Sequence, residues 1–156
     1  MSTGRERHYA LDTNLFINAY RNDADRVALE SFLQLFAPFC YLPVIVAQEL
    51  LAGVRSAADQ RLLDRHLIGI FERRNRILTP SASSWMESGR VLSALAHEEG
   101  LELSRVTKSF GNDILLALTC REHGAVLVTN NDRDFARIRK HAKFQFVAPW
   151  PTPRSS

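Results

Sequence analysis

A chain of 156 residues and 17.7 kDa is one domain's worth of sequence, long enough to bury roughly 68–70% of its unfolded surface around a single core. Its 46% apolar and 24% charged residues, with 7 Gly and 6 Pro, exclude collagen-like and wholly disordered classes. No apolar run approaches the ~18 residues of a membrane span, and the polar start from Met1 to Arg7 lacks the apolar stretch of a secretory signal, so a soluble, cytosolic chain is expected. The formal charge of +3 is too small to name a partner. Most of the cations are Arg, whose planar fork suits phosphate.

In chain order, His8 to Leu11 reads as a buried strand stopping at the polar tip Asp12-Thr13-Asn14. Helical spacing follows at Leu15, Phe16, Ala19 and Tyr20, and again from Val27 to Phe36, with Asp23-Ala24-Asp25 as a helix-start turn. Phe39 to Leu42 is a second strand. Pro43 suits the first position of a helix from Val44 to Ala52, ended by Gly53. Ala57 to Arg74 is one long amphipathic helix with a break at Gly69, Arg76 to Thr79 a third strand, and Ser81 to Glu99 a helix ended by Gly100. After a linker from Leu101 to Phe110, an almost wholly apolar helix runs from Ile114 to His123. Ala125 to Thr129 is continuously apolar, as strands covered on both faces are. A short helix to Lys140 and a last strand from Phe144 to Val147 complete the domain. The expected division is a single domain over residues 1–148 and a Pro-rich tail over 149–156. Cys40 and Cys120 have no metal or redox spacing and read as reduced core residues.

Strands alternating with helices predict an α/β fold, a parallel sheet of four to five strands between two layers of helices. Ligands of such sheets bind beyond the carboxyl ends of the strands, which directs attention to Asp12, to Thr129 and to Asn130-Asn131-Asp132-Arg133-Asp134. Asp12 also suits a helix cap. Glu49 stands in the apolar run Val44 to Ala52, either buried with a partner or on a narrow solvent strip with Gln48. Asp113 precedes Ile114-Leu115-Leu116-Ala117, where a first-turn acid would complement the helix dipole.

These residues carry a resemblance. Leu11-Asp12-Thr13-Asn14, Glu49-Leu50-Leu51-Ala52-Gly53, Asp113-Ile114-Leu115-Leu116-Ala117 and Gly124 to Asn131, continuing to Asp134-Phe135, resemble in order the four motifs of PIN-domain ribonucleases, most closely the VapC-like toxins of toxin–antitoxin pairs. The resemblance implies a compact α/β/α sandwich in which Asp12, Glu49 and Asp113 hold Mg²⁺ or Mn²⁺. Hard oxygen donors suit those ions, and crowded carboxylates need a cation to neutralise them. The implied activity is metal-dependent hydrolysis of RNA phosphodiester bonds. Asp12 and Asp113 are the expected direct ligands, Glu49 a ligand or the group orienting the attacking water, and Thr129 and Asn131 the orienters of metal-bound water. Many relatives carry an Asp where this chain has Asn131, so the fourth catalytic position falls to Asn131, Asp132 or Asp134. Val46 stands where relatives often carry a hydroxyl. The implied partners are an RNA substrate, a cognate antitoxin and a second copy of the chain.

Arg133, Arg137, Arg139 and Lys140, with Lys143, form a basic stretch just past the fourth motif, read either as a solvated face or as RNA-backbone contacts. A second basic stretch spans Arg55 to Arg76. Trp85, Met86, Val91, Leu92 and Leu95 make a helical stripe that is core, or in part a dimer surface. Two other functions compete: a PIN-like RNA-binding or assembly module with impaired catalysis, hinted at by the neutral Asn131, and an Asp-based phosphoryl-transfer protein. The second wants another Asp at position 14, which is Asn14, and gives Glu49 no role.

Overall fold

The computed structural model describes residues 7–152. Five parallel strands form its sheet in the order β3-β2-β1-β4-β5. They are β1 (His8–Leu11), β2 (Cys40–Pro43), β3 (Ile77–Leu78), β4 (Ala125–Val128) and β5 (Phe146–Val147). Around them lie α1 (Thr13–Arg21), α2 (Asp23–Phe36), α3 (Val44–Gly53), α4 (Ala57–Leu63), α5 (Gly69–Arg73), α6 (Ala82–Glu99), α7 (Lys108–His123) and α8 (Asp132–Arg139). This is the α/β/α arrangement the alternating pattern predicts, at the upper end of the expected strand count.

The centre of the sheet is its most apolar part. All four residues of β4 are buried, and β1 pairs with β4 along its whole length, His8 with Ala125 through Leu11 with Val128. Beside them α7 buries every residue from Asp113 to Cys120. A strand run of Ala-Val-Leu-Val needs cover on both faces, and the interior helix supplies one of them. The thiols of Cys40 and Cys120 are free and buried, each pushed up to about 12, first by that burial.

Of four boundaries, three differ from the sequence expectation and one matches it. Helix α7 starts at Lys108, capped by the Thr107 hydroxyl, which accepts from the Phe110 N–H. The stretch Ser109-Phe110-Gly111-Asn112 has poor helix propensity, which hid the first turn. Asp113 is therefore past the first turn, and its proposed dipole role lapses. Second, the break expected near Gly69 is present and takes the form of a π-helical turn, Asp64–Ile68, just ahead of that glycine. A Cβ on Gly69 would lie 2.6 Å from the Asp64 carbonyl oxygen, so this turn requires the missing side chain. Third, Pro43 ends β2 and caps α3 rather than opening it. Fourth, β5 is limited to Phe146–Val147, although Phe144 is buried in the core.

Gly124 closes α7 in the left-handed region at φ +67°, which lets the chain reverse directly into β4. The stripe on α6 divides: Val91 and Leu95 are buried, while Trp85 and Met86 are more than half exposed. Trp150 packs on α2, its ring 5.1 Å from that of Phe32, so the chain past β5 is anchored at least to that residue. The end of the expected tail, 153–156, lies outside the described residues. Among the described residues, no helix is long and apolar enough to cross a membrane.

Candidate functional site

The carboxyl ends of β1 and β4 lie side by side, and the first residue past each carries a site side chain. The Asp12 N–H extends the ladder to the Val128 carbonyl at 3.0 Å, and the Thr129 N–H donates to Val147 at 3.1 Å. Asp12 and Thr129 are thereby set by sheet register, not by loop conformation. Asp12 is 5% exposed, and both of its carboxylate oxygens are held: Oδ1 accepts from the Thr13 N–H at 2.8 Å, and Oδ2 from the Thr129 hydroxyl at 2.7 Å. It does cap α1, as a lone Asp at that position should. Its second oxygen, bound across 117 residues of sequence, is what a cap alone does not explain.

Glu49 projects from α3 on the half-buried side, whereas its neighbour Gln48 is exposed, so the two do not share a solvent strip. Burial raises the Glu49 pKa, and the charge of Asp12 raises it further; the Thr13 hydroxyl and Lys108 act against this. The Thr13 Oγ1 is buried with no full hydrogen-bond partner among the described residues. Asp12 is likewise raised by burial, against its bonds from Thr129 and Thr13. Asp113, one turn into the interior helix, is pushed up to about 8: burial contributes most, followed by the charges of Asp12, Glu49 and Asp134. Four acids from four separate helix starts or faces thus share one electrostatic field.

Asn131 caps α8, its Oδ1 accepting from the Asp134 N–H at 3.4 Å. That bond decides which end of the amide faces the acids. Nδ2 points to Asp134 Oδ2 at 3.2 Å and to Asp113 Oδ2 at 3.5 Å, and the Asn131 N–H donates to the Thr129 hydroxyl at 2.9 Å. Thr129 therefore relays between Asn131 and Asp12, giving its proton to the carboxylate. Asp132 is exposed on α8, so of the two acids offered for the fourth position it is Asp134 that faces Asp113.

The basic residues behave unequally. Arg137 is spent on Glu99 and Asp134, and Arg139 lies over the Phe146 ring at 4.5 Å. Arg133 and Lys140 are exposed. In the other basic stretch, Arg76 is tied to the Ala37 carbonyl. Three residues near the acids escaped sequence reasoning: Thr13, Lys108 and Glu99. Lys108 is five positions before Asp113, off its helical face, and its charge acts on Glu49 of α3 only through the fold.

Among the described residues, no three His, Cys, Asp or Glu side chains are gathered tightly enough to form a ready cage for a metal ion. The donors nonetheless suit a hard divalent cation. They are oxygen ligands on rigid elements, and Asp113 is raised first by burial and then by the like charges of Asp12, Glu49 and Asp134, which a cation would offset.

With this geometry in place, comparison with known proteins fixes the class. Residues 9–141 match the PIN domain model, and the chain belongs to the PIN domain family. No curated protein matches the sequence. Among solved structures, the chain is similar to DNA-bound VapBC from Salmonella typhimurium, with TM-score 0.67 and 21% identity over 92% of this chain and 98% of that one. A chain of VapBC2 from Rickettsia felis, bound to a promoter DNA fragment, gives TM-score 0.61 and 26% identity over 92% and 98%. FitAcB from Neisseria gonorrhoeae gives 0.62 and 20% over 91% and 98%.

Proposed function

We propose that the protein is a Mg²⁺- or Mn²⁺-dependent endoribonuclease acting in the cytoplasm as the toxin of a toxin–antitoxin pair. The observation that carries the chemistry is the convergence of Asp12, Asp113 and Asp134 around Thr129 and Asn131 at the carboxyl ends of β1 and β4, with Glu49 near enough for its charge to act on Asp113. Such a cluster is costly unless a cation occupies it. Asp12, Asp113 and Glu49 would hold the ion. A divalent ion so held supplies an activated water and charge stabilisation for in-line displacement at phosphorus.

The chain's own residues prepare that chemistry. Thr129 and the Thr13 N–H fix the Asp12 carboxylate in one orientation, so little reorganisation remains when a substrate arrives. Asn131 presents N–H donors, not charge, toward Asp113, which orients that carboxylate and any water between them. Glu49 is half-buried, its pKa raised by burial and by the charge of Asp12, and stands to hold the ion or to orient the attacking water. RNA is the substrate this reading favours. Arg133, Arg139 and Lys140 form no ion pair among the described residues and line the helix that begins at the site, where phosphate contacts position a strand.

The antitoxin partner rests on the likeness to VapBC and to a toxin–antitoxin complex from Klebsiella pneumoniae, which has 22% identity and TM-score 0.60. A homodimer is the further expectation, and exposed Trp85 and Met86 on α6 supply apolar surface for it.

The test is cleavage of a mixed cellular RNA pool by the purified chain in Mg²⁺ or Mn²⁺ against EDTA, beside Asp12→Asn and Asp113→Asn. Metal-dependent cuts at defined positions, lost in both variants, are expected. Metal binding by folded, antitoxin-free protein with no cleavage in any ion would instead select the RNA-binding module.

A further inference from the structure

Arg137 stands on the basic face of α8, among the residues offered for RNA contact, but its side chain is already committed. Its Nη2 and Nε fork onto the two carboxylate oxygens of Glu99 at 2.6 and 3.2 Å, and Nη1 reaches Asp134 Oδ1 at 3.1 Å. The guanidinium carbon Cζ lies over the Phe110 ring, 4.6 Å from its centroid. One side chain thus joins the end of α6, the first turns of α7 and the start of α8, the helices that carry Asp113, Asn131 and Asp134. The pair is only about 30% exposed on either side, and a forked, partly desolvated pair is stronger than a surface one.

We propose that Arg137 is a positioning residue of the hydrolytic site: by holding Asp134 as an ion pair it aims the Asn131 amide at Asp113 and keeps Asp134 from becoming a metal ligand. This rests on the metal-dependent reading above. Both oxygens of Asp134 are engaged, Oδ1 by Arg137 and Oδ2 by Asn131. With Arg137 gone, Oδ1 is free and Asp134 becomes a third uncompensated negative charge facing Asp113, beside Asp12 and Glu49. Lysine cannot replace the fork, because a single ammonium does not span Glu99 and Asp134.

The experiment combines steady-state cleavage of a defined RNA with calorimetric titration of Mn²⁺, using full-length wild type, Arg137→Met, Arg137→Lys, Glu99→Gln, Asp134→Asn and the Arg137→Met/Asp134→Asn double variant. Arg137→Met is expected to lower kcat about 10- to 100-fold, with KM and the salt dependence of RNA binding unchanged. Arg137→Lys does not rescue it, and Glu99→Gln, which keeps the cation and loosens the fork, moves kcat the same way by less. In the titration Arg137→Met tightens Mn²⁺ binding at least about three-fold, or adds a second bound ion, through the freed Asp134. The double variant returns to the wild-type isotherm. A raised KM with intact kcat and a salt slope shallower by about 0.7 would make Arg137 a phosphate contact instead. Additive effects of the two substitutions, or a Mn²⁺ isotherm of Arg137→Met superimposable on wild type, also overturn the proposal. If wild type cuts no RNA, the nuclease reading fails on its own, and the Mn²⁺ titrations still decide whether Arg137 restrains Asp134.

Discussion

Asp113 makes the metal-free protein sensitive to pH in a direction opposite to that of most buried, salt-bridged acids. Folded, the carboxyl keeps its proton to about pH 8; its ordinary value is 3.8. Between these values the folded state binds more protons than the unfolded one, so stability falls as pH rises. At 1.36 kcal/mol per pH unit, one such group removes on the order of 3–4 kcal/mol between about pH 5 and pH 8. For a chain of this size that is roughly 6–16 °C in Tm, at about 2–4 °C per kcal/mol. Asp12 and Glu49 are raised as well, so the proton belongs to the set. The assay is thermal unfolding in EDTA across that range, for wild type and Asp113→Asn. Wild type should lose stability toward pH 8 more steeply than the amide variant, which should be the more stable of the two at pH 8. Adding Mn²⁺ should restore wild type at pH 8 and leave Asp113→Asn unchanged, because only the deprotonated set binds the ion. Parallel pH profiles in EDTA, or a variant less stable than wild type at pH 8, would refute the reasoning.

Replacing Thr129 by Val keeps the shape but strands Asp12 Oδ2 and the Asn131 N–H; a loss of about 1–3 kcal/mol in denaturant unfolding is expected, with a fall in kcat for RNA larger than any change in KM. Gly69→Ala places a methyl against the Asp64 carbonyl oxygen and should cost about 1–3 kcal/mol, read as a lower urea midpoint at unchanged Mn²⁺ affinity. Trp150→Ala removes the ring stacked on Phe32 and should lower stability by about 1–3 kcal/mol; a neutral effect in urea unfolding would show that the chain past β5 adds nothing to the core.

How far the sequence could be read followed from the range of the interactions. Apolar runs closed by polar tips located β1 and β4, because central strands of a parallel sheet must be apolar on both faces. The same strand-end rule found Asp12 and Thr129. Glu49 and Asp113 needed the family pattern as well, since an acid in an apolar helix has a cap or solvent reading until the fold shows what it faces. Local signals failed at α7, where Ser109 to Asn112 carry no apolar period yet are held helical by the Thr107 cap and by packing. Arg137 shows the limit most sharply. Its partner Asp134 is three residues away and visible on a helical wheel, whereas Glu99 is 38 positions distant, and nothing in the basic stretch distinguishes a committed arginine from a free one.

The placement of β1 between β2 and β4 also bears on synthesis. The first strand to leave the ribosome must wait for a neighbour that emerges more than a hundred residues later, and the bond from Thr129 to Asp12 spans 117 residues. At about 5–20 residues per second, that interval is roughly 6–23 s. During it the nascent chain holds Asp12, and later Glu49 and Asp113, but neither the β4 end that orients Asp12 nor the start of α8. Chains cut short before β4 cannot assemble the acid cluster at all. Until β4 and the start of α8 have been made, a polypeptide whose proposed activity destroys RNA lacks the scaffold for that activity, because order of synthesis and order of strands in the sheet do not coincide.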